Sequence, residues 1–252
     1  MLILKLTISL FLIFNFQLLY SQNYQNVAVI SDFDDTYKLT NTKGLFAKVW
    51  NGLFTEKIFF AMPDLYKIFE QNADTLVFIS NSTTLITKRV VRQITESGLS
   101  NFSAILHKSG NKFNYKYQNI ERIMAALPNS KFILLGDDSG DDHDIYALIA
   151  KNYPDRILRI YIRQVKGKTL PEIINVYYTA YDIAFQEFKD GRIEESRLIL
   201  LGRTIKNSTQ TKLLFPDYVF MPKEFQISDS PELVEKLRID IFDKLKKIRH
   251  LN

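Results

Sequence analysis

Apolar runs of four to six residues alternate along this chain with longer stretches in which apolar positions recur every three or four residues. The short runs are Val27 to Ile30, Leu76 to Ile79, Phe102 to Leu106, Phe132 to Leu135 and Ile157 to Ile162. Most are apolar on both faces, which predicts strands buried in a parallel sheet. Between them the period is helical. Thr83 to Ser97 sets Leu85, Ile86, Val90, Val91 and Ile94 at helical spacing, with Gly98 placed as a C-cap. Asn119 to Leu127 carries Ile120, Ile123 and Met124 and stops before Pro128; Asp144 to Asn152 carries Ile145, Leu148 and Ile149 and stops before Pro154. Farther on, Leu170 to Lys189 reads as a helix with Ile173, Ile174, Tyr177, Tyr181, Ala184 and Phe185 on one side. Pro231 to His250 reads as a closing helix with Pro231 in its first turn.

This alternation predicts an α/β fold, a mostly parallel sheet with helices on both faces. In such sheets ligands bind outside the carboxyl ends of the strands, so the residues that follow each strand are the ones to inspect. Asp32-Phe33-Asp34-Asp35-Thr36 follows the first strand and Ser80-Asn81-Ser82 the second. A lysine-bearing loop, Lys108 to Lys116, follows the third, and Gly136-Asp137-Asp138-Ser139-Gly140-Asp141-Asp142 the fourth. The strand-end rule gathers all four groups into one site.

Composition adds bounds. With 252 residues, 46% hydrophobic and 24% charged, the chain has ordinary globular makeup and can bury a sizeable core. It shows no internal repeat or obvious linker, so one domain is the simplest count. Ahead of Asp32 the only charge is Lys5, and Leu6 to Leu19 is almost entirely Leu, Ile and Phe. Followed by Tyr20-Ser21-Gln22, this run reads as a secretory signal peptide over residues 1–21, leaving a mature domain over 22–252 in the periplasm or outside the cell. A membrane anchor is the competing reading, but a span needs roughly 20 apolar residues, and Asn15 and Gln17 interrupt the run. No transmembrane span is expected in the mature chain. The absence of cysteine excludes a disulfide scaffold and a thiolate metal site. A net charge of +5 on 33 basic and 28 acidic side chains describes a mixed solvated surface rather than a nucleic-acid groove, although it suits contact with an anionic one.

Each fragment alone is a weak signal. Asp32 to Thr36 also resembles a calcium loop, but lacks the glycine of an EF-hand. A serine after a strand is commonly a turn residue, and Lys116 by itself is a surface lysine. His143 sits where a helix-start residue would, while His107 and His250 have no partner at metal-binding spacing. It is the four fragments in order, each at a strand end, that carry information.

DxDxT, a serine, a lysine ahead of a helix and GDxxxxD in this order resemble the four motifs of the haloacid dehalogenase superfamily. SDFDDTYKLT, FISNST, KFILLGDDSGDDHDIYALIAKNYPDRI and IYIRQV narrow the resemblance to the catalytic domain of the actin-patch-associated phosphatidate phosphatases, over roughly Val27 to Val165. The fold this implies is a three-layer haloacid dehalogenase-like Rossmannoid fold with a small cap insertion. Gln164 departs from the family pattern, which has aspartate there.

The residues and the resemblance agree on phosphoryl transfer. A phosphomonoester dianion repels carboxylates, so an acidic site needs a divalent cation, and magnesium binds through carboxylates, substrate phosphate and water. The family pattern implies Asp32 as nucleophile and Asp34 as general acid and base, with Thr36 orienting the loop. It implies Ser80, Asn81 and Lys116 as phosphate-binding residues, with Lys108 and Lys112 the rivals of Lys116. The expected metal ligands are Asp32, Asp34, Asp137 and Asp142, with Asp138 and Asp141 close enough to be confused with the last two. Asp35 reads as structural. By resemblance the substrate is phosphatidate at a membrane surface, cleaved to diacylglycerol. A general phosphomonoesterase and a non-catalytic phosphate- or lipid-binding module are the alternatives. Between Thr36 and the second strand, Phe46, Trp50, Phe54, Phe59, Phe60 and Met62 are interspersed with Lys43, Lys48 and Lys57. They form either an interfacial patch or the packing of a small lid onto the body.

Overall fold

The computed structural model describes residues 26–40, 57–107, 110–221 and 227–251. Six strands, β1 (Val27–Ser31), β2 (Thr75–Thr83), β3 (Ser103–His107), β4 (Lys131–Asp137), β5 (Ile157–Arg163) and β6 (Ile174–Tyr177), build one sheet. Their order is β3-β2-β1-β4-β5-β6 and every neighbouring pair is parallel. The first five are the strands expected from the apolar runs.

Alternation within the central strands assigns the two faces. Ala28 and Ile30 of β1 and Phe132 and Leu134 of β4 point into one apolar layer. That layer is closed by α3 (Lys112–Ala126), through Ile120 and Met124, and by α4 (Asp142–Asn152), through Ile145, Tyr146 and Ile149. Val27, Val29, Ile133 and Leu135 point the other way, into the larger layer. Here α1 (Met62–Asn72) packs Leu65, Tyr66 and Phe69, and α2 (Thr87–Glu96) packs Val90 and Ile94. The C-terminal helices α5 (Ala180–Lys189), α6 (Glu195–Asn207), the short α7 (Thr211–Leu214) and α8 (Glu232–Leu251) complete that face. The result is a three-layer α/β fold. Because β1 connects outward to β2 while its other neighbour is β4, the chain reverses direction between them, and their carboxyl ends flank a switch-point crevice.

Several sequence expectations need correction. Leu170 to Lys189 is not one helix. Ile174–Tyr177 pairs with β5 through Ile160↔Ile174 and Arg163↔Tyr177, and a helix starts only at Ala180. Apolar residues three apart satisfy a helical period and a short buried strand alike. What separates them is Asp182, whose carboxylate accepts the Thr179 N–H at 2.7 Å and opens the helix there. In α2 the helical spacing of Leu85 misleads: Leu85 is 93% exposed, lies on a 3-10 turn (Thr84–Ile86), and β2 runs on to Thr83. The helix expected from Asn119 starts at Lys112, because Asn111 caps it by accepting the Asn114 N–H. Lys116 is therefore a helical residue, not part of a loop.

Part of the insertion expected as a cap belongs to the body of the fold. Met62–Asn72 is the crossover helix from β1 to β2, with Met62 and Phe59 buried in the core, Phe60 packed against it and Lys57 exposed. Those aromatics pack inward rather than forming an interfacial patch. Phe46, Trp50, Phe54, Lys43 and Lys48, like the expected signal segment, fall outside the described residues. Among the described residues no helix is long and apolar enough to cross a membrane.

Candidate active site

The β1 ladder continues one residue past the strand, the Asp32 N–H donating to the Leu135 carbonyl at 2.8 Å. This fixes Asp32 at the carboxyl edge beside Asp137, the last residue of β4. Asp142 arrives in the first turn of α4, where a carboxylate is favoured by the free N–H groups and dipole of the helix start. Gly136 lets that turn approach: a Cβ there would stand 2.6 Å from Asp142 Oδ2 and 2.8 Å from the Tyr146 ring. One oxygen from each of Asp32, Asp137 and Asp142 lies within 4.8 Å of the others.

Lys116 reaches this cluster from the second turn of α3. Its ammonium, fully buried, donates to Asp32 Oδ1 at 2.8 Å and to Asp142 Oδ1 at 2.6 Å. Burial works to lower its pKa, but the Asp142 and Asp32 carboxylates outweigh it and hold the lysine charged. Lys112, one of its rivals, is exposed at the helix start, and Lys108 falls outside the described residues.

Burial raises the Asp32 carboxyl well above its usual range; Lys116 opposes that, and the Asp142 and Asp34 charges add to it. Burial likewise raises Asp137, helped by the charges of Asp32 and Asp142. Three crowded acids thus face one ammonium. Asp142 Oδ2 is buried without a hydrogen-bond partner. A group of hard oxygen donors, short of positive charge and holding an unsatisfied oxygen, fits a hard divalent cation such as magnesium or calcium.

Asp34 stands apart from the cluster. Its Oδ2 accepts from Ser82 Oγ at 2.6 Å and from Ser80 Oγ at 3.2 Å, and Lys38 Nζ lies 4.0 Å from Oδ1. About 27% of its side chain meets solvent. Partial burial raises its carboxyl, against the lowering pull of Lys38 and the serine hydroxyls. Of the four acids expected as metal ligands, Asp32, Asp137 and Asp142 are gathered together, while the Asp34 carboxylate is turned toward the β2 serines. The buried Ser80 hydroxyl also accepts the Ser82 N–H at 3.0 Å, and Asn81 Oδ1 is buried with no hydrogen-bond partner. Thr36 Oγ1 donates to Asp137 Oδ2 at 3.4 Å, tying the first loop to the fourth.

The neighbouring acids do other work. Asp138 points away from the cluster and accepts the N–H groups of Val165, Lys166 and Lys168 at 2.5, 2.7 and 2.9 Å, folding the turn after β5. Gln164, the departure from the family pattern, donates to the Lys168 carbonyl at 3.1 Å and so closes the same turn. His143 Nε2 lies 3.4 Å from Asp144 on its own helix.

Two further residues shape the site. Ser82, which its sequence position alone does not mark, donates to the Asp34 carboxylate. Arg163, last in β5, is buried, donating to the Tyr178 and Thr36 carbonyls at 2.9 and 3.2 Å with its guanidinium over the rings of Phe59 and Tyr177 at 3.6 and 4.6 Å. In the sequence it stands at the end of an apolar run, inside the IYIRQV string, with nothing to mark it as buried.

A family model described as phosphatidate phosphatase APP1, catalytic domain, matches residues 27–164, more than half of the chain. Phosphatidate phosphatase APP1 of Saccharomyces cerevisiae is 29% identical over 153 residues, covering 54% of this chain and 26% of that protein. An uncharacterized protein of Schizosaccharomyces pombe is 29% identical over 178 residues, 59% of this chain and 29% of that protein. The match thus spans less than a third of each of these curated relatives. No solved structure matches the chain significantly.

Proposed function

The chain belongs to the family of the phosphatidate phosphatase APP1 catalytic domain, and from that premise we propose that it is a magnesium-dependent phosphatase that hydrolyses a phosphomonoester, with phosphatidate as substrate and diacylglycerol as product. Export by the segment over residues 1–21, and action at a membrane surface outside the cytoplasm, are part of the same proposal.

The observation that carries it is the contrast between two aspartates two positions apart. Asp32 is paired with a buried ammonium, whereas Asp34 is held by hydroxyls and about a quarter open to solvent. Two carboxyls in unlike surroundings suit two roles. Asp32 Oδ attacks phosphorus in line, the bond from phosphorus to the leaving oxygen breaks, and Asp34 gives that oxygen its proton. The resulting aspartyl-phosphate is then attacked by water, which loses a proton to Asp34, releasing phosphate and restoring Asp32. Asp34 must be protonated when substrate arrives, which its raised pKa favours.

Lys116 holds Asp32 oriented and offsets charge on the transferring phosphoryl group, and Ser80 offers a hydroxyl to a phosphoryl oxygen. Magnesium held by Asp32, Asp137 and Asp142 would supply the positive charge that lets a phosphate dianion approach three acids.

The test is phosphate release by the purified protein, wild type beside Asp32→Asn, with magnesium or chelator, on phosphatidate in mixed micelles and on a soluble phosphate ester. Release from phosphatidate that vanishes in the variant and in chelator supports the proposal whole. Activity on the soluble ester alone keeps the chemistry and removes the lipid; silence on both favours a binding module.

A further inference from the structure

Asp35 lies between Asp34, the proposed acid and base, and Thr36, which ties the loop to Asp137, yet takes no part in the proposed chemistry. It is fully buried and adopts a left-handed backbone conformation, φ +54°. Residues other than glycine persist there only where the surroundings over-determine them. Part of the constraint is local: the Asp35 N–H donates to the Lys38 carbonyl at 2.7 Å, and Oδ1 accepts the Thr40 N–H at 3.0 Å.

The rest comes from far away in the chain. Tyr218 OH donates to the same Asp35 Oδ1 at 3.0 Å, across 183 residues. Tyr218 belongs to the segment between α7 and α8, beyond the residues that the family model matches. The segment's described stretch around Tyr218 is anchored on both sides. The Phe220 N–H donates to the Gln164 carbonyl at the end of β5, at 2.9 Å. From α8, Arg249 donates to the Asp217 and Val219 carbonyls, the two neighbours of Tyr218, while its guanidinium lies 4.8 Å from the centre of the Phe215 ring. Tyr218 is thus a buried hydroxyl on a fixed strap, aimed at the loop that carries the aspartate pair.

We propose that Tyr218 is a positioning residue: the C-terminal region, outside the matched catalytic domain, holds Asp35 and through it sets the orientation of the Asp34 carboxylate. The inference rests on the phosphatase reading for its catalytic consequence. A peptide rotation at Asp35 would carry Asp34 away from Ser80 and Ser82, and a displacement of about 1 Å in a catalytic group can cost about 100-fold in rate.

Tyr218→Phe in the full chain removes the hydroxyl and keeps the ring, so packing survives. It is expected to lower kcat about 10-fold with KM unchanged, and to speed amide hydrogen exchange over residues 32–40 while α8 exchanges as in wild type. Asp35→Ala should lower kcat at least as much, and adding Tyr218→Phe to it should lower kcat no further. Wild-type kcat in Tyr218→Phe, independent losses in the double variant, or unchanged exchange over residues 32–40 each overturn the proposal. Should the wild type release no phosphate from either substrate, the phosphatase reading falls, and exchange over residues 32–40 still decides whether Tyr218 clamps the loop.

Discussion

The hydrogen bond from Ser82 Oγ to Asp34 Oδ2, 2.6 Å long, stabilises the ionised form of the carboxyl and so lowers its pKa against the raising effect of burial. An acid that must give up a proton is competent below its pKa in the folded protein and is lost as pH rises through it. Ser82→Ala removes a lowering influence, so the alkaline limb of the kcat profile should move to higher pH, read from rates across the pH range; a shift to lower pH would contradict the assignment. Asp34→Asn should reduce kcat about 100- to 10,000-fold, the usual contribution of a general acid, with the thermal midpoint close to wild type. Phosphate release at the wild-type rate in this variant would remove Asp34 from the mechanism.

Where elements meet, the demands are steric. Gly136 in β4 faces the start of α4 so closely that any side chain would collide with Asp142 and Tyr146. Gly136→Ala should therefore push Asp142 off Lys116, costing about 1–3 kcal/mol by overpacking together with most of the activity; urea unfolding and phosphate release measure the two losses. At the end of β5, Arg163→Lys keeps the charge but loses the planar fork that reaches two carbonyls while lying over two rings. A buried carbonyl left unsatisfied costs about 1–3 kcal/mol, and the same unfolding experiment should show a loss of that size. An unchanged midpoint would mean lysine reaches both oxygens.

Taken as a whole, the molecule spends stability at its site. Asp32 and Asp137 have pKa values raised above the ordinary 3.8, so the folded state binds their protons more tightly than the unfolded one. Their contribution is favourable in acid, at and below that ordinary value, and is lost as pH rises through the raised values. Metal-free protein should therefore lose stability from this source as pH climbs from about 4 toward neutrality, and magnesium should restore it by binding only the folded state. Asp137→Asn should be at least as stable as wild type in chelator near neutral pH and gain less from magnesium, both read from thermal midpoints. An equal gain in the two proteins would place the cation elsewhere.

Much of this was legible in the sequence, because periodicity and strand-end placement are local. Five strands, the parallel α/β class and the four chemistry-bearing fragments followed from apolar runs and from the residues just after them. Local pattern failed at Ile174–Tyr177, where one spacing fits both a strand and a helix, and at Leu85, whose helical spacing belongs to an exposed turn. It could not tell that Asp34 would turn to Ser82 while three other acids converged, nor that a buried Arg163 would hold the Thr36 carbonyl 127 residues away and Tyr218 the Asp35 carboxylate 183 residues away. Those pairings depend on the assembled sheet and on helices packed against it, since a hydrogen bond needs its atoms within about 3 Å and only the tertiary structure brings such distant residues to that range.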